Sequence, residues 1–161
     1  MRFVLIDRII EQDLRRIVAV KAVSAAEEYL ADHFPGFAVL PGVMMLEAMT
    51  QAARHLARTL QPQVTRPWVL AEVRGLRYGT LVRPGQVLQV EVTARDQPAP
   101  EGPPQASAAP RLQAIRLSFN GVSRIDGQTA AQGRLTLAPL PEPPVPNAPT
   151  AADHAADAAE S

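Results

Sequence analysis

The apolar positions of this chain change period part-way along it. Arg15 to Val23 (RRIVAVKAV) is β-branched and partly alternating, the pattern of a strand. Residues 4–12, apolar around Asp7 and Arg8, predict a short strand or turn. Ser24 with Glu27 three residues later is a capping-box pattern, in which each side chain satisfies a free amide of the other, and it predicts a short helix over 25–31. Phe34-Pro35-Gly36 and Leu40-Pro41-Gly42 then predict an extended, turning loop, because the proline ring disfavours helix at the residue before it. Pro41 suits the first turn of a helix, where a missing N–H costs nothing. From Gly42 to about Leu60 the spacing is helical. Beyond Pro67 the period falls towards two. Trp68–Val73, Val87–Arg95, Leu112–Val122 and Gln128–Leu137 read as strands, the last two joined through the hairpin signal Asp126-Gly127. One long helix followed by a run of antiparallel strands predicts an α+β domain with the helix packed on a curved sheet.

On a helical wheel, Met45, Met49, Ala52, Leu56 and Leu60 form an apolar stripe, and Glu47, Gln51, Arg54 and Arg58 lie opposite. The methionines belong to the core. Glu47, read from the wheel alone, is an acid near a helix N-terminus on a solvated face, where the helix dipole favours it. His33 differs, because it stands in the loop between the two turn signals. A lone loop histidine is more often incidental than catalytic. A histidine and a carboxylate brought together, however, are the usual acid/base set near neutral pH. His55 and His154 receive no role.

Composition narrows the classes. The 161 residues suit one domain with a tail, and 47% apolar residues suffice for a core. The sixteen basic and sixteen acidic groups cancel, which argues against a nucleic-acid binder. With no cysteine there is no disulfide, thiolate metal site or cysteine nucleophile. The apolar run Phe3–Ile6 is too short for a signal peptide or a membrane span, so a soluble cytoplasmic protein is expected. From Pro139 to Ser161 the chain has four acids, no base and almost no large side chain. Such a segment cannot offset its ordering entropy and predicts a disordered tail after a domain of residues 1–138. Gln97–Pro110 reads as a proline-rich insert.

The stretch from His33 to Ala52, HFPGFAVLPGVMMLEAMTQA, closely resembles the motif of the 3-hydroxyacyl-acyl-carrier-protein dehydratases of fatty-acid synthesis, which have a hotdog fold. VLIDRII at residues 4–10 is similar to that family's opening segment. The resemblance implies a central helix wrapped by a curved antiparallel sheet, in homodimers with each active site at the subunit interface. It implies His33 as catalytic base and Glu47 as catalytic acid, from opposite subunits. Glu instead of Asp at 47 resembles the branch that does not also isomerise the double bond.

The implied chemistry is elimination of water from a 3-hydroxyacyl thioester. Neutral His33 would remove the α-proton, and a protonated Glu47, kept neutral by a dry interfacial pocket, would protonate the departing hydroxyl. Backbone N–H groups at Gly42 and Val43 could hold the thioester oxygen. Phe34, Gly36, Phe37, Leu40, Met44, Gln51 and Trp68 are the implied substrate-contacting residues, with Val39 a further candidate for an acyl tunnel. For each apolar one, ordinary core is the competing reading. Gly36 and Gly42 are equally well explained as turn glycines, and Gln51 would also orient Glu47. Arg66, Arg74, Arg77 and Arg83 could steer an acidic acyl-carrier protein, or be a solvated strand edge. No metal or organic cofactor is needed. Two other roles for the same fold stay open at this level: a non-catalytic binder of acyl chains or carrier protein, and a thioesterase.

Overall fold

The computed structural model describes residues 3–95 and 115–141. Its elements are β1 (Arg8–Gln12), β2 (Arg16–Ala22), one 3-10 turn (Glu28–Leu30), α1 (Gly42–Leu60), β3 (Trp68–Tyr78), β4 (Val87–Ala94), β5 (Leu117–Ile125) and β6 (Gln128–Pro139). The six strands form one sheet in the order β1-β2-β4-β5-β6-β3, antiparallel throughout. Helix α1 packs against β2, β3, β4, β5 and β6 on one face of that sheet. This is the helix-in-sheet arrangement expected from the segregated pattern.

The alternation along the strands sets which face the helix covers. Leu88, Val90 and Val92 on β4, Phe119 on β5, and Leu135 and Leu137 on β6 are fully buried against it. Their neighbours Gln89, Asn120, Gln132 and Arg134 are exposed on the other side. The helix answers with Met45, Met49 and Leu56, separated by Ala48, Ala52, Ala53 and Ala57. Alanines at these positions let the helix axis approach the sheet closely, and each large side chain fully buried contributes roughly 1.5–3 kcal/mol.

Three boundaries differ from the sequence pattern. The predicted helix over 25–31 is a single 3-10 turn. Its capping box does not close, because the Glu27 carboxylate accepts instead from Lys21 Nζ at 2.6 Å. β3 runs five residues beyond Val73, to Tyr78. Register shifts between Leu70 and Glu72 and between Arg74 and Arg77 break its alternation, so its second half does not read as a strand. β6 continues two residues beyond Leu137 to Pro139, and the Leu140 N–H donates to Pro67 O at 2.7 Å. The proline-rich insert, the first residues of the strand expected from Leu112, and the tail from residue 142 lie outside the described residues. β5 begins at Leu117 and reaches Ile125 at the hairpin, where Asp126 and Gly127 take φ of 49° and 79°. No helix among the described residues is long and apolar enough to cross a membrane.

Candidate active site

His33 is held by the loop that its two Pro-Gly turns build. Phe34 and Phe37 exchange backbone hydrogen bonds at 2.9 and 3.1 Å around Pro35-Gly36, with Gly36 at φ +75°, a conformation that favours glycine. The Val39 N–H donates to His33 O at 2.8 Å, and Leu40 N–H donates to Val82 O at 2.7 Å, which ties the loop to the segment before β4. The His33 ring stacks on Phe34, and its Nδ1 lies 3.0 Å from Val39 O. A carbonyl oxygen only accepts, so Nδ1 carries the hydrogen, and in the neutral ring Nε2 holds the free lone pair.

Glu47 sits in the second turn of α1. Its Oε1 accepts from Gln51 Nε2 at 3.1 Å and from Arg54 Nη1 at 3.0 Å. Gln51 is itself pinned: its Oε1 accepts the Leu5 N–H at 2.8 Å and its Nε2 donates also to Phe3 O at 3.2 Å. The N-terminal segment therefore lies against Gln51, and Glu47, about a third exposed, is tied to Gln51 and Arg54 on a partly covered face. Arg54 stands seven residues from Glu47 on the same face. That i, i+4, i+7 spacing was present in the sequence, but only the structure shows the bond.

Gly42 and Val43 open the helix after Pro41, where backbone N–H groups have no acceptor within the helix. Val43 is 63% exposed, so this end of the helix is accessible. A Cβ on Gly42 would lie 2.7 Å from the Tyr78 ring, so the missing side chain makes room for a tyrosine that the sequence reading did not single out. Tyr78 is itself half exposed and caps the helix start from the end of β3. An open cavity of about 830 Å³ lies beside the histidine loop, lined among others by Leu30, Ala31, Phe34, Gly36, Ala38 and Arg83. Neither His33 nor Glu47 lines it in the single chain.

The other expected contact residues divide. Phe34 and Phe37 are exposed and Met44 is half-buried, all near the loop and helix start. Val39, Leu40 and Trp68 are buried, Leu40 and Trp68 within the main core. Trp68 opens β3, ten residues from the Tyr78 end that meets the helix start, about 30 Å along the strand. The four arginines do not form one cluster. Arg83 lies 4.7 Å above the Phe37 ring beside the cavity. Arg74, paired with Glu72 at 2.6 Å, and Arg77 share a groove with Arg134 on the sheet face away from the helix. Arg66 is half-buried in the segment before β3.

The chain matches one family model, the FabA-like domain, over residues 1–106, a span that includes the histidine loop and α1. The chain belongs to the FabA-like family. A curated relative, the 3-hydroxyacyl-[acyl-carrier-protein] dehydratase FabZ of Anaeromyxobacter dehalogenans, is 35% identical over 134 residues, covering 81% of this chain and 76% of its own. The FabZ of Ruminiclostridium cellulolyticum is 30% identical over 143 residues, covering 84% and 86%. Among solved structures, the dehydratase heterocomplex ApeI:P from Xenorhabdus doucetiae aligns at TM-score 0.63 with 19% identity, over 86% of this chain and 84% of that one. The PaaI protein from the E. coli phenylacetic acid degradation operon aligns at 0.56 with 12% identity, over 83% and 79%. These two carry the fold alone: the FabA-like chain has the hotdog fold, with α1 wrapped by its curved sheet.

Proposed function

We propose that this FabA-like protein dehydrates a 3-hydroxyacyl-[acyl-carrier-protein] to the trans-2-enoyl thioester in fatty-acid biosynthesis. The observation that carries the reading is the placement of His33: Nδ1 is committed to Val39 O, which fixes the ring and leaves Nε2 as the nitrogen that can take a proton from a substrate. Its family membership and its FabZ relatives supply the reaction class.

His33 Nε2 takes the α-hydrogen as a proton. The electron pair of that C–H bond becomes the new C=C bond, and the thioester oxygen carries the transient negative charge. The β C–O bond breaks with its electron pair on oxygen, and that oxygen receives the Glu47 proton and leaves as water. The N–H groups at Gly42 and Val43 are placed at a helix N-terminus, where donors and the helix dipole favour a developing oxyanion.

The two catalytic groups come from opposite subunits of a homodimer. Two features support this. Neither group lines the loop cavity in one chain, and β3 ends the sheet as an eleven-residue edge strand, a template for pairing with a second copy. The acyl chain enters by Phe34, Gly36, Phe37 and Met44, and Arg83 is the arginine best placed to meet an acidic carrier at that mouth.

The test is hydration of a short trans-2-enoyl thioester, followed by loss of its conjugated absorbance. His33→Ala and Glu47→Gln are each expected to lower kcat at least about a hundredfold, the scale of losing one general acid or base. Variants that match the wild type, or release of free thiol in place of hydration, would refute the dehydratase reading.

A further inference from the structure

A general acid must keep its proton on one defined oxygen, aimed at the leaving group. At Glu47 both side-chain hydrogen bonds found among the described residues end on the same atom: Gln51 Nε2 and Arg54 Nη1 donate to Oε1. An oxygen that already accepts two N–H groups is a poor place for the carboxyl hydrogen, which would point at its own donors. A protonated Glu47 therefore presents Oε1 as the carbonyl oxygen and Oε2 as the O–H.

We propose that Arg54 is a positioning residue: with Gln51 it clamps Oε1 and leaves Oε2–H as the group that protonates the departing hydroxyl. The inference rests on the reading of Glu47 as the acid and adds the atom that transfers the proton and the residue that selects it. Gln51 supplies one of the two donors to Oε1. Its amide is shared with the Phe3 carbonyl and the Leu5 N–H, so one of its hydrogens is already committed elsewhere. Arg54 Nη1 reaches Glu47 Oε1 at 3.0 Å, a contact that persists whether or not Oε2 carries its hydrogen, while Arg54 Nε is buried without an acceptor. The charged and titratable neighbours along this face are His55 and Arg58, which share with Arg54, Gln51, Phe3 and Val4 an open groove of about 440 Å³. No acid lines that groove, so Glu47 has no rival for the guanidinium there. Each member of the pair is about a third exposed, and pairs at that exposure contribute little to stability. Removing the arginine should thus change the chemistry more than the fold.

The experiment compares Arg54→Met, Arg54→Lys and Glu47→Gln with the wild type in the enoyl-thioester hydration assay, with thermal melts alongside. Arg54→Met is expected to lose about 10- to 100-fold in kcat with KM within about twofold of wild type, the size of effect produced by misplacing a reacting group by about 1 Å. Arg54→Lys, which restores a cationic donor, is expected to recover at least half of that loss on a logarithmic scale. Wild-type kcat in Arg54→Met, a loss expressed in KM alone, or no recovery in Arg54→Lys overturns the proposal. Should Arg54→Met fail to fold, Arg54→Gln is judged by the same kcat and KM criteria. Wild-type kcat in Glu47→Gln instead removes the reading of Glu47 itself, so the two failures are distinct.

Discussion

Gly121 shows how single residues set the distance between helix and sheet. A Cβ there would lie 2.9 Å from Met49 Sδ and 3.2 Å from Leu135 Cδ1. The absent methyl on β5 is thus the space into which Met49 fits. Gly121→Ala overpacks this contact and is expected to cost about 1–3 kcal/mol, read as a lower urea midpoint with an unchanged m-value. The thioether is flexible, which keeps the expected cost towards the lower end. Gly36 is a contrasting case. Nothing lies within 4 Å of its missing Cβ, and it is glycine because φ is +75°.

Between elements, one buried cation holds the N-terminal half together. Lys21, the only lysine of the chain, points from β2 towards the core side and is 7% exposed. Its Nζ bonds Glu27 at 2.6 Å and Asp7 at 3.3 Å, and Asp7 also accepts the Ala22 N–H at 2.6 Å. The lysine therefore joins the segment before β1, β2 itself, and the stretch that leads to the histidine loop. Burial works against its charge, but the Glu27 hydrogen bond and the Asp7 charge outweigh it, and its pKa is raised above the ordinary value of 10.5. A raised folded value means that the charged lysine stabilises the fold fully below the unfolded pKa and that this contribution is lost as pH rises through the folded one. Lys21→Met is expected to lower stability by about 2 kcal/mol from neutral pH to about pH 10, the scale of hydrogen bonds to a charged group. The gap between variant and wild type should narrow above pH 10.5, and urea midpoints at a series of pH values would show it. On the outer face, Glu91 on β4 similarly bridges Arg16 on β2 and Arg124 on β5, each at 3.2 Å.

For the whole molecule, the proposed division of the site between two subunits has a quantitative consequence. A His33→Ala chain still carries Glu47, and a Glu47→Gln chain still carries His33. A mixed dimer would hold one intact site and one with neither group. Equal amounts of the two inactive chains, unfolded and refolded together, should assort at random and regain about a quarter of wild-type activity, since half the dimers are mixed and half their sites are intact. If each site were built within one chain, mixing would restore nothing. The same pairing would turn the exposed end of α1 and the exposed Phe34, Phe37 and Val43 towards a partner, which gives these apolar groups a reason to be at the surface.

Much of this protein is determined locally, and those parts were legible from the sequence. Period-two and helical spacing place α1 from Gly42 to Leu60 and give strands close to β2, β4 and β6, because side-chain direction repeats with backbone geometry. The two Pro-Gly turns and Asp126-Gly127 mark their bends for steric reasons that hold in any context. The loop histidine, the helix acid and Gln51 were likewise visible as a motif. What failed were features that depend on partners distant in sequence. The bulges of β3 answer to the register of β6 some sixty residues away, and the capping box opened because Lys21 took Glu27. Only the tertiary structure decided that Val39 O takes up Nδ1 of His33 and that Arg54 and Gln51 converge on one oxygen of Glu47. Hydrogen bonds depend on direction and on distances of about 3 Å, and a linear pattern records which side of an element a residue occupies but not which atom it meets.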